Sequence, residues 1–576
     1  MTGRGRILPA LAVWALVVLL PAAASAHAYL LETVPAASVI LNAPPRQVAL
    51  TFDEAVEPRF AIISVTDVEA RSVTAGPVAR SPSNPDTLVV PLRRVAEGWY
   101  LVYWRAISID GHPVQGAFTF AVGPNAGPAP QFRIPHVSAS ATSTPLLVLR
   151  WLVFLTTMTA VGLFVLRMLV ARPLVRRVEG TTLRDVSGAL FACCALALVA
   201  IPAYVEESTA IDSLRSFYAF GALVPLWRTT SFGRGYVDLE LCFALFTFAA
   251  AVAVWLDRPE RPRRSVAALL SLSGALAAAA AVLALPGIAG HAAQTAPRGV
   301  ALLLDWLHLA SGAVWIGGLV GLLVLWASLP AARRVAGLAV AVPRFSRVAL
   351  GSVALLLGTG VGATVLHLPV LAALWQTSYG VVVLVKIGLL AGAVALAAGN
   401  LLRSRPRLVA ARERPELGLS AARLLRVLVG GEAALVAGAL FAAATLSSLA
   451  PPPPAFAEEG AALERVGPGR VLSTVHVAGY ALGLAVDPNR AAAPNRFTVE
   501  LSKNGRPVRH ASVTVSFAML DMTMPTQEYE LTETKPGTYT RAAPALVMVG
   551  NWGLTFHVSP PGGEPFTALI VDHASG

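Results

Sequence analysis

Long apolar runs fill the middle of the chain, and short alternating runs flank them on both sides. Between residues 145 and 450, eight segments are apolar over about 20 residues, the length that a helix needs to cross a bilayer. They lie near residues 146–170, 186–204, 236–256, 266–289, 300–328, 347–366, 379–402 and 424–449. This pattern predicts an eight-helix transmembrane bundle.

The flanking segments follow the two-residue period of β-strands instead. The β-rich runs before the bundle lie at 48–53, 61–66, 87–92, 99–107 and 116–122, and those after it lie at 480–486, 496–501, 512–517, 537–541 and 553–558. The chain is therefore predicted to be multidomain. An N-terminal all-β sandwich of the Greek-key, cupredoxin- or immunoglobulin-like kind is expected at 27–122 and a C-terminal all-β sandwich at 476–576. Linkers are predicted at 123–144 and 451–475, around a transmembrane domain at 145–450.

The first 26 residues have the pattern of a secretory signal peptide. Arg4 and Arg6 precede an apolar run at 7–20, and Ala24-Ser25-Ala26 is a small-residue cleavage site. Cleavage at that site leaves His27 as the first residue of the exported protein, so that one residue carries both an imidazole and a free α-amino group. The alternative is an uncleaved membrane anchor, in which His27 has no special role.

Arginine is distributed unevenly between alternate loops, and this asymmetry predicts the orientation. Only four arginines follow the even-numbered spans: Arg215, Arg228, Arg234 and Arg298. Seventeen are placed in loops after the odd-numbered spans: Arg172, Arg176, Arg177, Arg184, Arg258, Arg261, Arg263, Arg264, Arg333, Arg334, Arg344, Arg403, Arg405, Arg407, Arg412, Arg414 and Arg423. Because basic loops stay in the cytoplasm, both chain ends are predicted to lie outside the cytoplasmic (inner) membrane of a bacterium.

The composition excludes several classes of protein. Hydrophobic residues make up 55% and charged residues 14% of the 576 residues, with a mean hydropathy of +0.64, which does not fit a soluble enzyme. The net charge of +12 is concentrated in the loop arginines, so the expected partner is the lipid bilayer and not nucleic acid. Three cysteines inside apolar runs exclude a disulfide framework. No catalytic triad or nucleotide motif occurs, so no enzyme activity is expected.

One set of metal-binding side chains is predicted in the first sandwich. Asp110 and His112 lie two residues apart in the turn between two strand runs, so both can point at one ligand. With the amine and imidazole of His27 they form a nitrogen and oxygen donor set that suits Cu(II). The alternative is an Asx-type turn, in which Asp110 bonds to the backbone and His112 is merely exposed.

Three short motifs accompany these residues: His27-Ala28-Tyr29-Leu30 after the signal peptide, Trp104-Arg105, and Asp110-Gly111-His112-Pro113. Together they resemble the CopC family of periplasmic copper-binding proteins, and the resemblance covers residues 27–122. It implies that His27, Asp110 and His112 bind Cu(II). No methionine occurs between Met1 and Met158, so a thioether Cu(I) site is not expected in this domain.

Three histidines lie at or near the outer ends of the predicted spans. His291 follows the fourth span, His308 lies in the outer third of the fifth, and His367 closes the sixth. All three therefore face the side from which an exported copper protein would deliver its ion. These histidines could bind copper, form interhelical hydrogen bonds or, from two facing helices, ligate a haem.

Other polar and small residues of the spans are placed for contacts between helices. Asp305 and Trp315 share a helix face with the histidine of the fifth span. Lys386 and Glu432 lie at different depths in the seventh and eighth spans and are not expected to pair, and Arg426 is the predicted ion-pair partner of Glu432. A small-residue surface for close helix packing is predicted at Gly312, Gly317 and Gly318.

The fifth span contains Asp305-Trp306-Leu307-His308-Leu309 and Trp315-Ile316-Gly317-Gly318-Leu319, and the seventh span carries Lys386 and leads to Asn400. These segments resemble the CopD family of copper-resistance membrane proteins. The order of the two domains also resembles known fusions of CopC and CopD. The resemblance implies movement of copper across the inner membrane, usually inward.

Methionine is concentrated in the C-terminal sandwich, where Met519, Met522 and Met524 lie close together in sequence. Thioethers select Cu(I), so these methionines could form an external Cu(I) site, whereas the alternative is adaptable packing in the core. The segment that contains Met522, Gly537-Thr538-Tyr539 and Gly550-Asn551-Trp552 resembles the YtkA-like domain found beside some CopD-type proteins.

These observations predict a protein of copper homeostasis and resistance. The first sandwich would bind Cu(II) outside the cytoplasmic membrane and pass copper to the bundle for conduction inward, with Cu(I) as the form in the membrane and C-terminal domains. The expected partners are copper ions, the lipid bilayer and periplasmic copper chaperones. One alternative is a haem-containing membrane electron-transfer protein that reduces periplasmic copper. Another is a copper sensor or store without conduction.

Overall fold

Apolar and polar residues alternate along the N-terminal strands, and the apolar sides face each other across a sandwich. The strands are β1 Leu30–Val34, β2 Ile40–Leu41, β3 Gln47–Phe52, β4 Ile62–Thr66, β5 Ala79–Arg80, β6 Thr87–Pro91, β7 Gly98–Ile107 and β8 Pro113–Val122. They form two four-stranded sheets, β1-β3-β6-β5 and β2-β8-β7-β4. Phe52 of one sheet meets Trp104 of the other edge to face, with ring centroids 5.5 Å apart. The predicted N-terminal all-β sandwich is confirmed.

The structure is a computed structural model that describes residues 30–36, 39–52, 56, 58–107, 113–124, 143–229, 231–289, 292, 295, 297–368, 371, 373–376, 378–411, 414, 416–449, 462–491, 493–520, 527–547 and 549–575. Three of its N-terminal strands were not predicted from the alternation. β2 and β5 have two residues each, which is too short for a period to appear. β1 buries only its first residue, so it lacks an apolar side.

The eight apolar runs form eight helical segments that are long and apolar enough to cross a membrane, within the residues that the structure describes. The helices are α1 Thr144–Val165, α2 Leu174–Arg177, α3 Arg184–Asp212, α4 Phe220–Thr229, α5 Ser231–Leu256, α6 Val266–Ala289, α7 Arg298–Ser328, α8 Ala331–His367, α9 Ala373–Gln376, α10 Ser378–Gly399, α11 Arg405–Ala410 and α12 Glu416–Leu446. Two π-helical segments, Leu166–Ala171 and Asn400–Ser404, continue α1 and α10. The predicted eight-helix bundle is confirmed.

Several helices extend beyond their apolar runs. α8 begins directly after Pro330, although its apolar run begins near residue 347. The predicted loop with Arg333, Arg334 and Arg344 is therefore wrong, because the segment is rich in Ala and Arg, which favour helix. Proline is also well tolerated at a helix start. The same correction applies to other arginines that the sequence placed in loops and that are helical: Arg176, Arg177, Arg184, Arg228, Arg234, Arg298, Arg403, Arg405, Arg407 and Arg423.

Glycine allows α1 and α7 to approach each other closely. A side-chain carbon on Gly162 of α1 would lie 1.9 Å from the carbonyl oxygen of Ala313, and one on Gly317 of α7 would lie 2.4 Å from the Cα of Gly162. A carbon on Gly318 would lie 1.9 Å from the ring of Phe345. The predicted small-residue surface of this helix is confirmed, and its effect is direct contact between two helix backbones.

The strands after the bundle join into one sheet. They are β9 Glu464–Val466, β10 Val471–Val477, β11 Tyr480–Asp487, β12 Asn495–Lys503, β13 Arg506–Pro507, β14 Ser512–Met519, β15 Gln527–Lys535, β16 Thr538–Ala543, β17 Gly550–Ser559 and β18 Phe566–Ala574. Neighbouring strands follow the order β10-β11-β12-β16-β15-β14-β17-β18-β9, with β13 beside β12. Ser473 of β10 donates a hydrogen bond to Glu464 of β9, so the sheet is nearly closed. The predicted C-terminal all-β domain is confirmed.

A carboxyl group is buried inside this C-terminal sheet. Asp572 of β18 and Asn489 are both 0% exposed. The side-chain amide of Asn489 donates to Asp572 Oδ1 at 2.8 Å, whereas Asp572 Oδ2 has no hydrogen-bond partner within the described part of the chain. Burial raises the pKa of Asp572 to about 6. The folded domain therefore favours the protonated, neutral form of this side chain.

Replacing Gly317 with leucine should destabilise the bundle, because the new side chain would overlap the backbone of Gly162. We expect a loss of about 3 kcal/mol or more in the free energy of unfolding. Thermal unfolding of the detergent-purified protein measures this loss. Gly188→Leu is the matched control, since a side-chain carbon at this helical position meets nothing within 4 Å. Equal midpoints for the two variants would contradict the close approach of α1 and α7.

Asp572 should make the C-terminal sheet less stable as the pH rises. The pKa of this carboxyl group is 3.8 in the unfolded chain and about 6 in the folded domain. Its protonation therefore stabilises the folded domain fully below pH 3.8. This stabilisation is lost as the pH rises through about 6. Asp572→Asn should stabilise the sheet by about 1–3 kcal/mol at pH 7.5 and have little effect at pH 4. Hydrogen exchange of the β17 and β18 peptides in the intact protein compares variant and wild type at each pH. A difference that does not change with pH would refute this role.

Candidate metal sites

Two strand ends flank the predicted Cu(II) ligands, although His27, Asp110 and His112 themselves lie outside the described residues. β1 begins at Leu30, three residues after His27. β7 and β8 form a hairpin in which Ile107 lies opposite Pro113, so residues 108–112 connect two paired strands. This register agrees with the prediction of a turn between the two strands.

These two flanks lie at the same end of the sandwich. Leu30 pairs with Phe52 across the first sheet, and the ring of Phe52 contacts Trp104 of the second sheet. Trp104 is three residues from the end of β7 at Ile107, or about 10 Å at the spacing of a strand. The other end of β7, Gly98, is twice as far away. The start of β1 is therefore close to the connection between β7 and β8.

A group of polar side chains lies among the helices of the bundle. His308 of α7 has its Nδ1 3.1 Å from the hydroxyl oxygen of Thr359 on α8 and its Nε2 3.5 Å from Nζ of Lys386 on α10. Asp305, one turn before His308, interacts electrostatically with Lys386. Asp305, His308, Thr359 and Lys386 are called the polar cluster below. They belong to three different helices. His308 and Lys386 are 78 residues apart in the sequence.

Hydrogen bonding in the polar cluster determines which nitrogen of His308 is protonated. The hydroxyl of Thr359 donates to the carbonyl oxygen of Leu355 at 2.7 Å, so it can only accept from His308. Nδ1 of His308 must then carry the proton, and Nε2 carries the lone pair. That lone pair faces the ammonium group of Lys386, which donates to it. Nε2 is thus the nitrogen of His308 that could bind another cation in place of the Lys386 ammonium group.

Glycines on two neighbouring helices accommodate the polar cluster. A side-chain carbon on Gly287 of α6 would lie 2.5 Å from Asp305 Oδ2, and one on Gly360 of α8 would lie 3.2 Å from His308 Cε1. Larger residues at either position would displace the polar side chain. The helix backbones therefore hold Asp305 and His308 in place from two sides.

The structure places His367 away from His308. Nδ1 of His367 lies 2.7 Å from the carbonyl oxygen of Ala363 and Nε2 lies 3.2 Å from the hydroxyl of Thr295. His367 follows Thr359, the neighbour of His308, by eight residues, or about 12 Å along α8. One ion or haem cannot be ligated by both rings in this arrangement. His291 lies outside the described residues.

Glu432 of α12 forms a second polar contact between helices. Trp315 of α7 donates from Nε1 to Glu432 Oε1 at 2.7 Å, and Asn400 donates from Nδ2 to Oε2 at 3.4 Å. The predicted ion pair with Arg426 is wrong, since the guanidinium of Arg426 lies 4.6 Å from the centre of the Trp326 ring. Residues six apart on a helix point in different directions, unlike residues three or four apart.

Met519 lies in the core of the C-terminal sheet. It ends β14 opposite Trp552 of β17, and both side chains are buried. This position fits the packing interpretation of Met519. Met522 and Met524 lie outside the described residues, so the predicted Cu(I) site stays a prediction.

Among the described residues of the membrane region, few side chains can bind a metal ion. No group of three or more His, Cys, Asp and Glu side chains that could hold a metal ion occurs among the described residues. The polar cluster provides one imidazole nitrogen and one nearby carboxylate.

Sequence reasoning identified His308 and Lys386 separately but missed their contact, and it missed Thr359 entirely. A lysine inside a membrane span needs a partner, so Lys386 was a signal that a polar group must face it. Which helix supplies that group depends on packing. Thr359 looked like an ordinary residue of an apolar helix, and only its position opposite His308 makes it informative.

Three family models match successive parts of the chain. A CopC domain matches residues 30–123, Copper resistance protein D matches residues 339–446, and a YtkA-like domain matches residues 474–557. The second match includes Lys386 and Glu432 but begins after His308. The sequence resemblances to all three families are therefore confirmed.

Individual relatives agree with these matches. Copper transport protein CutJ of Bacillus subtilis (strain 168) is 25% identical over 550 residues, which are 94% of each chain. Protein YobA of Escherichia coli (strain K12) is 35% identical over 98 residues, or 17% of this chain and 79% of the relative. Among solved structures, CopC from Methylosinus trichosporium OB3b is 30% identical and covers 18% of this chain and 100% of its own, with a TM-score of 0.16.

The coverage of these relatives determines the classification. The N-terminal domain contains most of a relative at 35% identity, and a copper transport protein aligns along nearly the whole chain. Eight apolar helices together with the CopD match identify a multi-pass membrane protein. The chain belongs to the CopC family of copper-resistance proteins, and segments that match Copper resistance protein D and a YtkA-like domain follow in the same polypeptide.

Proposed function

We propose that the N-terminal domain binds Cu(II) outside the cytoplasmic membrane through His27, Asp110 and His112, and that the bundle carries copper inward past His308. The observation that carries this proposal is the polar cluster. In it, the unprotonated imidazole nitrogen of His308 faces the cation of Lys386 inside an apolar bundle. The matches to the CopC domain and to Copper resistance protein D support copper as the transported ion.

Two features support capture of Cu(II) by the N-terminal domain. Signal-peptide cleavage after Ala26 would give His27 a free amine, which with the imidazole can chelate one ion. The strand that follows His27 and the hairpin that contains Asp110 and His112 have their flanking residues at one end of the sandwich. Amine, imidazole and carboxylate ligands suit Cu(II), the strongest binder among the divalent first-row metals.

The polar cluster is proposed as the first intramembrane site for copper. In the empty protein, Lys386 provides the positive charge beside His308, and Asp305 balances it. A copper ion at His308 Nε2 would repel the ammonium of Lys386 and attract Asp305. One cation thus takes the place of another, so the charge in the apolar region changes less than it would at an unoccupied site.

The remaining predicted ligands extend the proposed route on both sides of His308. His291 and His367 would form its outer entrance, near the ends of α6 and α8. Met522 and Met524 would be external Cu(I) ligands in the YtkA-like domain. Trp315 and its partner Glu432 lie about 10 Å further along α7 than His308, which makes this carboxylate the next polar group on an inward route.

Adding one glycine before His27 should weaken Cu(II) binding by at least about tenfold, because the α-amino group would no longer belong to the histidine that supplies the imidazole. Competition with a Cu(II) chelator measures the affinity of the exported, intact protein. N-terminal sequencing of the same sample establishes where the signal peptide was removed. One glycine added within the linker at 123–144 is the control and should not change the affinity. Unchanged affinity in the first variant would eliminate the amine as a ligand.

His308→Ala should reduce copper uptake to background, because the variant lacks the nitrogen that faces the bundle interior. Copper flux into proteoliposomes measures uptake, and Cu(II) binding outside the membrane should stay at the wild-type level. His476→Ala, on an exposed position of β10, is the matched control and should transport normally. Normal flux in His308→Ala would remove His308 from the route. A thermal midpoint close to that of the wild type verifies that the variant is folded.

A further inference from the structure

A cluster of buried charge lies at one end of the bundle, where the π-helical segment Leu166–Ala171 follows α1 and a short loop joins α5 to α6. Asp257 follows α5, and its side chain is 0% exposed. Arg167 donates from Nη1 to Asp257 Oδ2 at 2.8 Å, and Arg172 donates from Nε to Oδ1 at 3.0 Å. Nε of Arg264 lies 3.6 Å from the same Oδ1. These four residues are called the arginine cluster.

The arginine cluster contains more positive than negative charge. Three guanidinium groups face one carboxylate, which leaves a net charge of +2 in a buried region. Within the described residues, the other hydrogen bonds of the two most buried arginines go to neutral groups. Arg167 Nε donates to the hydroxyl of Ser187, and Arg172 Nη2 donates to the carbonyl oxygens of Arg258 and Arg261. Buried charge without a counter-charge is unfavourable, so the cluster needs a further anion.

Nearby carboxylates do not supply that anion. Residues 166–185 and 257–264 contain nine arginines and four carboxylates, and one of the four is Asp257 itself. The other three, Glu179, Asp185 and Glu260, are exposed. Within the part of the chain that the structure describes, no ion pair joins any of them to the cluster. The additional anion must therefore come from outside these two segments.

Arg264 is the member of the cluster that an external anion can reach. Its side chain is 17% exposed, against 6% for Arg167 and 8% for Arg172. Its Nε, which is itself buried, has no hydrogen-bond acceptor among the described residues, and its Nη2 donates to the carbonyl oxygen of Met168. Burial, together with repulsion from Arg172, lowers the pKa of Arg264. A nearby anion would stabilise the charged form of Arg264 and so oppose both effects.

We propose that the arginine cluster binds a phosphate group at Arg264, and that this group belongs to an anionic phospholipid. The guanidinium fork matches the oxygen atoms of phosphate. Arg264 lies two residues before the apolar segment Val266–Ile288, which places it at the level of lipid headgroups. Clusters of basic residues next to a membrane span attract anionic lipids. Inorganic phosphate has the same chemistry and is the other source of the ligand.

Native mass spectrometry of the intact, delipidated protein tests the lipid, with phosphatidylglycerol and phosphatidylcholine added in turn. The wild type should retain phosphatidylglycerol at least about fivefold better than phosphatidylcholine. Arg264→Gln should lose this preference. Arg176→Gln is the matched control, because Arg176 is an exposed arginine of α2 outside the cluster, and it should keep the preference. Arg264→Lys retains the charge without the guanidinium fork and should keep a weaker preference for phosphatidylglycerol. This variant tests the proposal if Arg264→Gln does not fold.

Inorganic phosphate distinguishes the two sources. It should leave the thermal midpoint of the lipid-loaded protein unchanged if the lipid phosphate already occupies Arg264. Inorganic phosphate could instead raise the thermal midpoint of the delipidated wild type while the protein retains both lipids equally. That result would show that the cluster binds phosphate, but it would overturn the proposal that the phosphate belongs to a lipid. Equal retention of both lipids with no response to phosphate would overturn the proposal. Equal losses in Arg264→Gln and Arg176→Gln would also overturn it, because total basic charge would then explain binding.

Discussion

Polar side chains inside the bundle depend on partners from other helices, because the apolar surroundings offer no water to replace them. His308 obtains its partners from α8 and α10, and Glu432 obtains an indole N–H from α7. Asp257 likewise obtains Arg167 and Arg172 from the region that follows α1. Each of these contacts joins segments far apart in sequence. They therefore set how the helices are arranged, and the same groups are the ones that could meet a cation or an anion.

Close packing makes this arrangement specific. The glycines of α1 and α7 bring two backbones into contact, while Gly287 and Gly360 leave room for Asp305 and His308 and for little else. His308 is consequently held with one nitrogen on Thr359 and the other toward Lys386. A copper ion would find this second nitrogen already oriented, which lowers the cost of binding. The sparse ligand set of the bundle and the richer set proposed for the CopC domain would then suit two tasks, transient passage and firm capture.

The sequence predictions were correct where the pattern they used belongs to a single helix or strand. Apolar runs and two-residue alternation predicted the eight helices and both β domains, because these patterns reflect burial on one side of a single element. The two-residue strands β2 and β5 were missed, and the N-terminal half of α8 was taken for a loop because its arginines interrupt the apolar run. The predicted ion pair between Arg426 and Glu432 was wrong for another reason. Proximity in sequence suggested a contact that helix geometry does not provide, and cation–π contact with Trp326 is the observed alternative.

By itself, the sequence determined the fold classes, the resemblance to copper-resistance families and some of the polar residues within the membrane, among them His308, Lys386 and Glu432. Composition, period and motif belong to single segments, and they can be recognised before the segments meet. Only the tertiary structure decided that Lys386 faces His308, that Thr359 directs the proton of that histidine to Nδ1, and that three arginines share Asp257. These relations depend on which faces of distant helices pack together. Packing depends on the shapes of many side chains at once, so no local pattern in the chain encodes it.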